Sequence, residues 1–340
     1  MDGQMDEQTD EQTDEQMDGP GHGARRDQVV LGEVPSLRGL FARAAVLAAG
    51  GGLARAAAAR LPGRLRGDGG GRPELPPVEH VVEGVTVDPS RHEAFCRVVG
   101  APLREGPGGT EAFSGHLHAL AFPVAMSVLT RPDFPLPLLR MVHLANEVEH
   151  LAPVAVGEDL TVTARAERLR PHRAGAQLDV VVRLDREDGR PVWTGRSTYL
   201  AKGVRVPGAP GEPPRPRFVP PAPTGRWSLP AGTGRDYAAV SGDWNPIHLS
   251  GPSARALGMR GAVAHGMYSA SRALAQVRVP AGTPFRWTAE FAAPVLLPGV
   301  VAFSVADDGR GADWTRSDYA GWDPRTGRPH FTGGVARLGG

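Results

Sequence analysis

The chain is 340 residues long, room for two ordinary domains or one large one, and 41% hydrophobic, enough for a buried core. Its 38 basic and 37 acidic residues leave a formal net charge of +1, so no overall field favours nucleic acid or an anionic membrane as a partner. Lys202 is the only lysine, a usage that with abundant Ala, Gly and Pro reflects coding bias, and the single Cys96 excludes an internal disulfide and fits a reducing, cytoplasmic setting.

The first residues, MDGQMDEQTDEQTDEQMDGPGHG, repeat an acidic tetrad without apolar periodicity, which predicts a disordered tail over 1–30. An acidic start with no apolar run behind it is the opposite of a secretory signal. Residues 31–75 read as a helical extension and linker: Ser36 caps a helix carrying Leu37, Leu40, Phe41 and Val46 on one face. Arg43, Arg55 and the glycines from Gly50 to Gly52 keep its apolar run well below the roughly 20 residues that span a bilayer. Docking on the protein is therefore expected, and stable membrane insertion is not.

Beyond this point the chain resembles itself. FCRVVG, from Phe95, parallels YAAVSG, from Tyr237, at an offset of 142 residues. The segments around Pro153 and Pro294 match at 141, and DGRPVWTGR matches TGRPHFTGG, Arg190 on Arg328, at 138. Two copies follow, 76–206 and 227–340, joined by a Pro-rich extended linker over 207–226. Strand-like runs in the first copy are DLTVTARAERL, AQLDVVVRLD and PVWTGRSTYLA; in the second, FRWTAEFAAPV, VVAFSVAD and HFTGGVARL. The helical run of the second copy, AVAHGMYSASRALAQV, places Met267, Ala270, Ser271 and Leu274 on one side. An antiparallel sheet wrapped around a central helix, twice, is an α+β double hot dog.

The chemistry concentrates in DYAAVSGDWNPIHLS. Asp243, Asn245 and His248 surround Pro246, which fixes its own φ and pushes Asn245 toward an extended shape. A carboxylate beside an imidazole makes a proton-transfer pair. Taken alone, the segment is equally an Asx-type turn with a surface histidine.

Two stretches together change that balance. Tyr237-Ala238-x-x-Ser241-Gly242-Asp243-x-Asn245-Pro246-Ile247-His248, followed by Ala264-His265-Gly266-Met267, closely resembles the MaoC-like dehydratases, the (R)-specific enoyl-thioester hydratases and 3-hydroxyacyl-thioester dehydratases. The resemblance covers roughly 227–340 and implies a hydro-lyase in fatty-acid or related acyl metabolism. It implies Asp243 and His248 as the catalytic pair, the Gly266 N–H as donor to the thioester oxygen, and supporting places for Asn245 and His265. No metal or other cofactor is expected. The implied partners are an acyl-CoA or acyl-carrier-protein substrate, with no nucleic acid, and a homodimer stays open. The first copy reads as a degenerate hot dog: at the offset of 142, Ala101, Leu103 and Gly106 stand where Asp243, Asn245 and His248 would be, and ALAFPVAM replaces the helix entrance. The lost polar residues suggest an apolar channel there for a longer acyl chain. Arg272 and Arg278 are candidate phosphate contacts or a solvated face, and His143, His150 and His172 lack metal-ligand spacing. Two alternatives stay open, a hot-dog acyl thioesterase and a non-catalytic acyl-binding subunit.

Overall fold

In each half of the computed structural model, which describes residues 26–43, 73–106, 108–138, 141–211 and 217–339, a buried helix lies against five strands. Before the first half comes a four-residue strand, β1 (Asp27–Val30), and a helical stretch over 37–43. The first half then runs β2 (Val78–Thr86), α1 (Pro89–Val99), a hairpin of β3 (Arg104–Gly106) and β4 (Gly109–Glu111), and α2 (Ser114–Leu129). Strands β5 (Met141–His150), β6 (Asp159–His172), β7 (Gly175–Asp185) and β8 (Pro191–Lys202) complete it. The second half is β9 (Gly225–Leu229), α3 (Thr233–Ser241), α4 (Pro246–Leu249), α5 (Gly251–Ala256), α6 (Gly266–Leu274), β10 (Phe285–Phe291), β11 (Gly299–Asp308), β12 (Arg316–Trp322) and β13 (Pro329–Arg337).

The local reasons are visible in the residues. Asp88 caps α1 by accepting the Arg91 N–H at 2.8 Å, and Pro89 follows at the first helical position, where its missing N–H costs nothing. His92, Phe95, Cys96 and Val99 form its buried face. The α1 and α3 helices both end on a left-handed glycine, Gly100 (φ 74°) and Gly242 (φ 77°), so the repeat with offset 142 is a repeated helix stop. In β7 every second residue from Ala176 through Leu178, Val180, Val182 and Leu184 is a buried apolar side chain, with Asp179 and Asp185 buried on the other face. The α2 helix is buried on nearly every side, as its composition requires.

All strands except the β3–β4 hairpin join one sheet in the order β1-β2-β6-β7-β8-β5-β10-β13-β12-β11-β9. The two halves meet where β5 pairs antiparallel with β10, Phe285 opposite His150 and Glu290 opposite Ala145. This is the double hot dog, with the seam hydrogen-bonded as continuously as the interior of either half. Ser114, at the start of α2, accepts the indole N–H of Trp193 from β8 at 3.0 Å and of Trp287 from β10 at 2.9 Å. Both indoles are buried, so neither donor could turn to water.

Several expectations need correction. Asp27–Val30, assigned to the acidic tail, pair in parallel with β2 through Val29 and Val30 opposite His80 and Val81; residues 1–25 lie outside the described residues. Leu37 is 5% exposed and Leu40 and Phe41 pack against the core, as the periodicity predicts, while Val46 lies outside the described residues. The linker is shorter than 207–226, because β9 begins at Gly225 and pairs with β11. ALAFPVAM lies in the middle of α2; the entrance to that helix is Phe113-Ser114-Gly115. The chain takes 14 residues from Gly100 to Ser114 but 24 from Gly242 to Gly266, so a constant offset misplaces everything between. The apolar channel is likewise absent from its expected place: Leu103 is 52% exposed and Gly106 sits in the β3–β4 hairpin. Nearby, Arg104 reaches across to donate to the Val279 carbonyl at 2.5 Å.

Candidate active site

Asp243, His248 and His265 come together between the end of α3 and the start of α6, each offering an atom within 4.8 Å of the others. The turn that presents Asp243 is built by Ser241, whose hydroxyl donates to the Tyr237 carbonyl (2.8 Å) and accepts the Asp243 N–H (3.3 Å). One Asp243 carboxylate oxygen then accepts the Asn245 N–H at 3.2 Å. Asn245 is the N-cap of α4, extended as a residue before proline should be, and accepts the Ile247 N–H. The short helix aims His248 back at Asp243. Asn245 therefore holds the loop, and its carbonyl also accepts the His248 N–H at 3.0 Å.

Hydrogen bonds fix the tautomers. His248 Nδ1 lies 2.8 Å from the Val263 carbonyl, which can only accept, so Nδ1 carries the proton and Nε2 presents a lone pair. His265 Nε2 donates in the same way to the Asp243 carbonyl at 2.9 Å and stands 3.8 Å from the Asp243 carboxylate. The two imidazoles are stacked, with centroids 3.6 Å apart and 26° between planes. Tyr237 packs on the far side of His265 at 4.9 Å and is itself 2% exposed.

Burial decides the charges. It raises the Asp243 carboxyl above its ordinary value, an effect opposed by His248 and the Asn245 N–H. It lowers His248 below the ordinary imidazole value against the pull of Asp243, and it lowers His265 much further, with His248 adding to the effect. Burial thus favours the uncharged ring in both histidines and works against the ionised form of Asp243. Burial and then the Asp243 charge raise the hydroxyls of Tyr237 and Tyr199. Tyr199 belongs to β8, so a first-half strand comes within electrostatic reach of the site, next to His143, which stacks on it at 4.7 Å. Neither residue carries a sequence signal, because long-range strand pairing alone brings them here.

Gly266 opens α6, and no side chain caps that end. Its N–H points out of the first turn as every leading N–H of a helix does. A Cβ there would lie 3.1 Å from the Phe291 ring, tighter than ordinary contact. Of the remaining candidates, Arg272 is occupied: its guanidinium lies 4.9 Å over Trp227 and donates to the Tyr268 hydroxyl. Arg278 is exposed. Distance alone would let Asp243, His248 and His265 meet one ion, but two of their ring protons are already placed. The His265 nitrogen nearest the carboxylate already carries the proton it donates, and stacked rings hold their in-plane lone pairs side by side rather than converging. A groove of about 1100 Å³ around Arg26, Glu79 and Arg165 lies at the β1–β2 edge, far along the sheet from this set.

Comparison with known proteins agrees with this geometry. A model of the MaoC-like domain matches residues 211–320. The 3-hydroxyacyl-thioester dehydratase X of Mycobacterium tuberculosis is 36% identical over 290 residues, covering 84% of this chain and 97% of that protein. A crystal structure of HtdX from the same organism matches with a TM-score of 0.64 at 31% identity, covering 76% of this chain and 100% of that one. A MaoC-like dehydratase from Phytophthora capsici, 18% identical with a TM-score of 0.60 over 76% of this chain and 95% of its own, shares the fold. With a double hot dog, an aspartate–histidine pair ahead of the second central helix and a relative of this similarity along its length, the chain belongs to the MaoC-like dehydratase family.

Proposed function

We propose that the protein reversibly hydrates trans-2-enoyl thioesters to (3R)-3-hydroxyacyl thioesters, with Asp243 and His248 as the catalytic pair. The carrying observation is the fixed tautomer of His248, which leaves Nε2 as an acceptor on a ring that has a nitrogen within 4.8 Å of an Asp243 carboxylate oxygen. A water held between them loses a proton to the pair as its oxygen bonds to Cβ. The electron pair of the double bond moves to the thioester oxygen, and the enolate collapses as the pair returns a proton to Cα. Dehydration runs the same steps backwards. The N–H of Gly266, at a helix N-terminus, stabilises the oxygen while it carries charge. Asn245 and His265 position the pair, His265 through the Asp243 carbonyl and the His248 ring. The chemistry asks for no metal or redox cofactor.

A thioesterase working from a carboxylate on the central helix is disfavoured, since neither α2 nor α6 contains an Asp or Glu. A non-catalytic acyl binder would have no need of an acid–base set with its tautomers fixed. No helix among the described residues is long and apolar enough to cross a membrane. The single Cys96, buried with its thiol pushed up to about 12, fits a reducing cytoplasm. Incubation with crotonyl- and longer enoyl-CoA, following loss of the enoyl absorbance and the configuration of the product, tests the reading. Unchanged absorbance together with release of free thiol would replace it with thioester hydrolysis.

A further inference from the structure

Phe285 and His150 stack at one end of the seam between the halves, with ring centroids 5.0 Å apart, and Phe291 and His143 meet at the other, 5.1 Å apart. The second pair lies at the catalytic end, where the Phe291 ring closes on Gly266 at the start of α6. The first pair lies against the start of α2, the helix that fills the same place in the first half. Around it is a cavity of about 40 Å³, a counterpart of the candidate active site that the chemistry above leaves unused.

Four polar side chains line this cavity: Arg104 and Glu111 from the β3–β4 hairpin, Ser114 from α2 and His150 from β5. Leu274, Val277 and Phe285, from the second half, give it apolar walls. Arg104 is committed, donating to the Val277 carbonyl at 3.3 Å and the Val279 carbonyl at 2.5 Å. The other three are not. Glu111 Oε2 and both nitrogens of His150 are buried and make no hydrogen bond among the described residues, and His150 is only 2% exposed. Ser114 accepts both indole N–H groups, which uses its two lone pairs and leaves its own O–H proton to donate. One donor and several acceptors thus border the same small space with no direct hydrogen bond between them. Left dry, each such group carries a desolvation penalty.

We infer that this cavity is a water site: one water accepts the Ser114 proton and donates to Glu111 Oε2 and a His150 nitrogen, tying the β3–β4 hairpin to the seam. A buried water makes about three hydrogen bonds and needs roughly 10–15 Å³ of room, so the cavity accepts water and excludes a thioester. A neutral ligand also suits the charges. An anion would stand against Glu111, and a cation against Arg104 and the positive N-terminus of α2. Burial raises the Glu111 carboxyl, against the Gly282 N–H and Arg104. It lowers His150 to about 4, with the Ala152 backbone pulling the other way. The first half thereby sets a carboxyl and an imidazole about one water, from a hairpin and a strand rather than from a single loop.

The test uses the full-length protein, the variants Glu111→Leu and His150→Leu, and the double variant. If one water joins the two side chains, removing either strands the other. Each single variant should then melt at least about 2–4 °C below wild type. The double variant should melt no lower than the worse single one. Shifts that add in the double variant overturn the shared water. A high-resolution crystal structure of the wild type is the second measurement, and it stands even where a variant fails to fold. A density peak within hydrogen-bond distance of Ser114 Oγ, Glu111 Oε2 and a His150 nitrogen supports the inference. A dry cavity, or an ion in the water's place, overturns it. Asp243 and His248 are untouched in both measurements, so neither result turns on the hydratase reading.

Discussion

The carbonyl oxygen of His248 occupies the space where a side chain at Gly234 would begin: a Cβ placed there would lie 1.9 Å from it. The α3 and α4 helices can approach closely only because residue 234 is glycine. Gly234→Ala must push α4 away and carry His248 with it. Misplacement by about 1 Å costs roughly 100-fold in rate, and the strained packing about 1–3 kcal/mol. A variant with reduced melting temperature but full kcat would show that His248 does not need this contact.

Asp243→Asn and His248→Gln are each expected to lower kcat by about 10²–10⁴ with the melting temperature nearly kept. Both groups handle the same water, so the double variant should be little worse than either single one. Near-normal turnover in both single variants would remove these residues from the mechanism.

The competent form has Asp243 ionised and His248 neutral, and acid ends it by protonating either. Burial moves the carboxyl up from 3.8 and the imidazole down from 6.5. The acid limb of kcat/KM is therefore set by the raised carboxyl and lies above the ordinary carboxylate value of 3.8. A limb centred at or below 3.8, where an unburied carboxylate titrates, would contradict the assignment.

Stability depends on pH through other histidines. On α2, burial lowers His116 to about 3 and His118 to about 4, and both His116 nitrogens and Nε2 of His118 lack partners. The unfolded chain protonates these rings near 6.5 while the native state resists, so stability is complete above that pH and declines as it falls toward 4. Each ring costs about 1.4 kcal/mol per pH unit within that window. Thermal melts from pH 7 to 4.5 should show this slope, and His116→Leu should reduce it by one ring's share. Identical slopes would place the acid sensitivity elsewhere.

The N-terminal extension touches both neighbours of Asp243. Arg38 lies 4.4 Å over the Trp244 ring, and Leu37 lies against Gly242, 3.2 Å from where a Cβ would be. Removing residues 1–25 should leave melting temperature and kcat unchanged, because that segment is polar and acidic. Removing 1–43 also deletes β1 and this brace. It should lower kcat at least tenfold, and Arg38→Ala alone should show part of the loss. Full activity in the longer truncation would make the extension an ornament.

Legibility followed the range of the interactions. Met267, Ala270, Ser271 and Leu274 are all buried as their spacing predicts, and β6, β7 and β8 appear where alternation marked them. The strands β2, β5, β9 and β12 were not marked. Their patterns are broken by residues such as His143, Asn146, Asp318 and Gly321, whose places are decided by partners far along the chain. Asp243, His248 and Gly266 were legible because one short stretch and one helix entrance carry them. His143, Tyr199 and Ser114 were not, since a residue that matters through a non-local neighbour leaves no local mark.

Ser114 gives the duplication a direction. Its one oxygen serves an indole from each half, so the two copies are no longer interchangeable units that happen to adjoin. A detached second half would retain Trp287 with a buried donor and nothing to receive it, besides the open edge of β10. The first half is therefore the host on which the packing of the second depends, through one hydroxyl at the entrance of its helix.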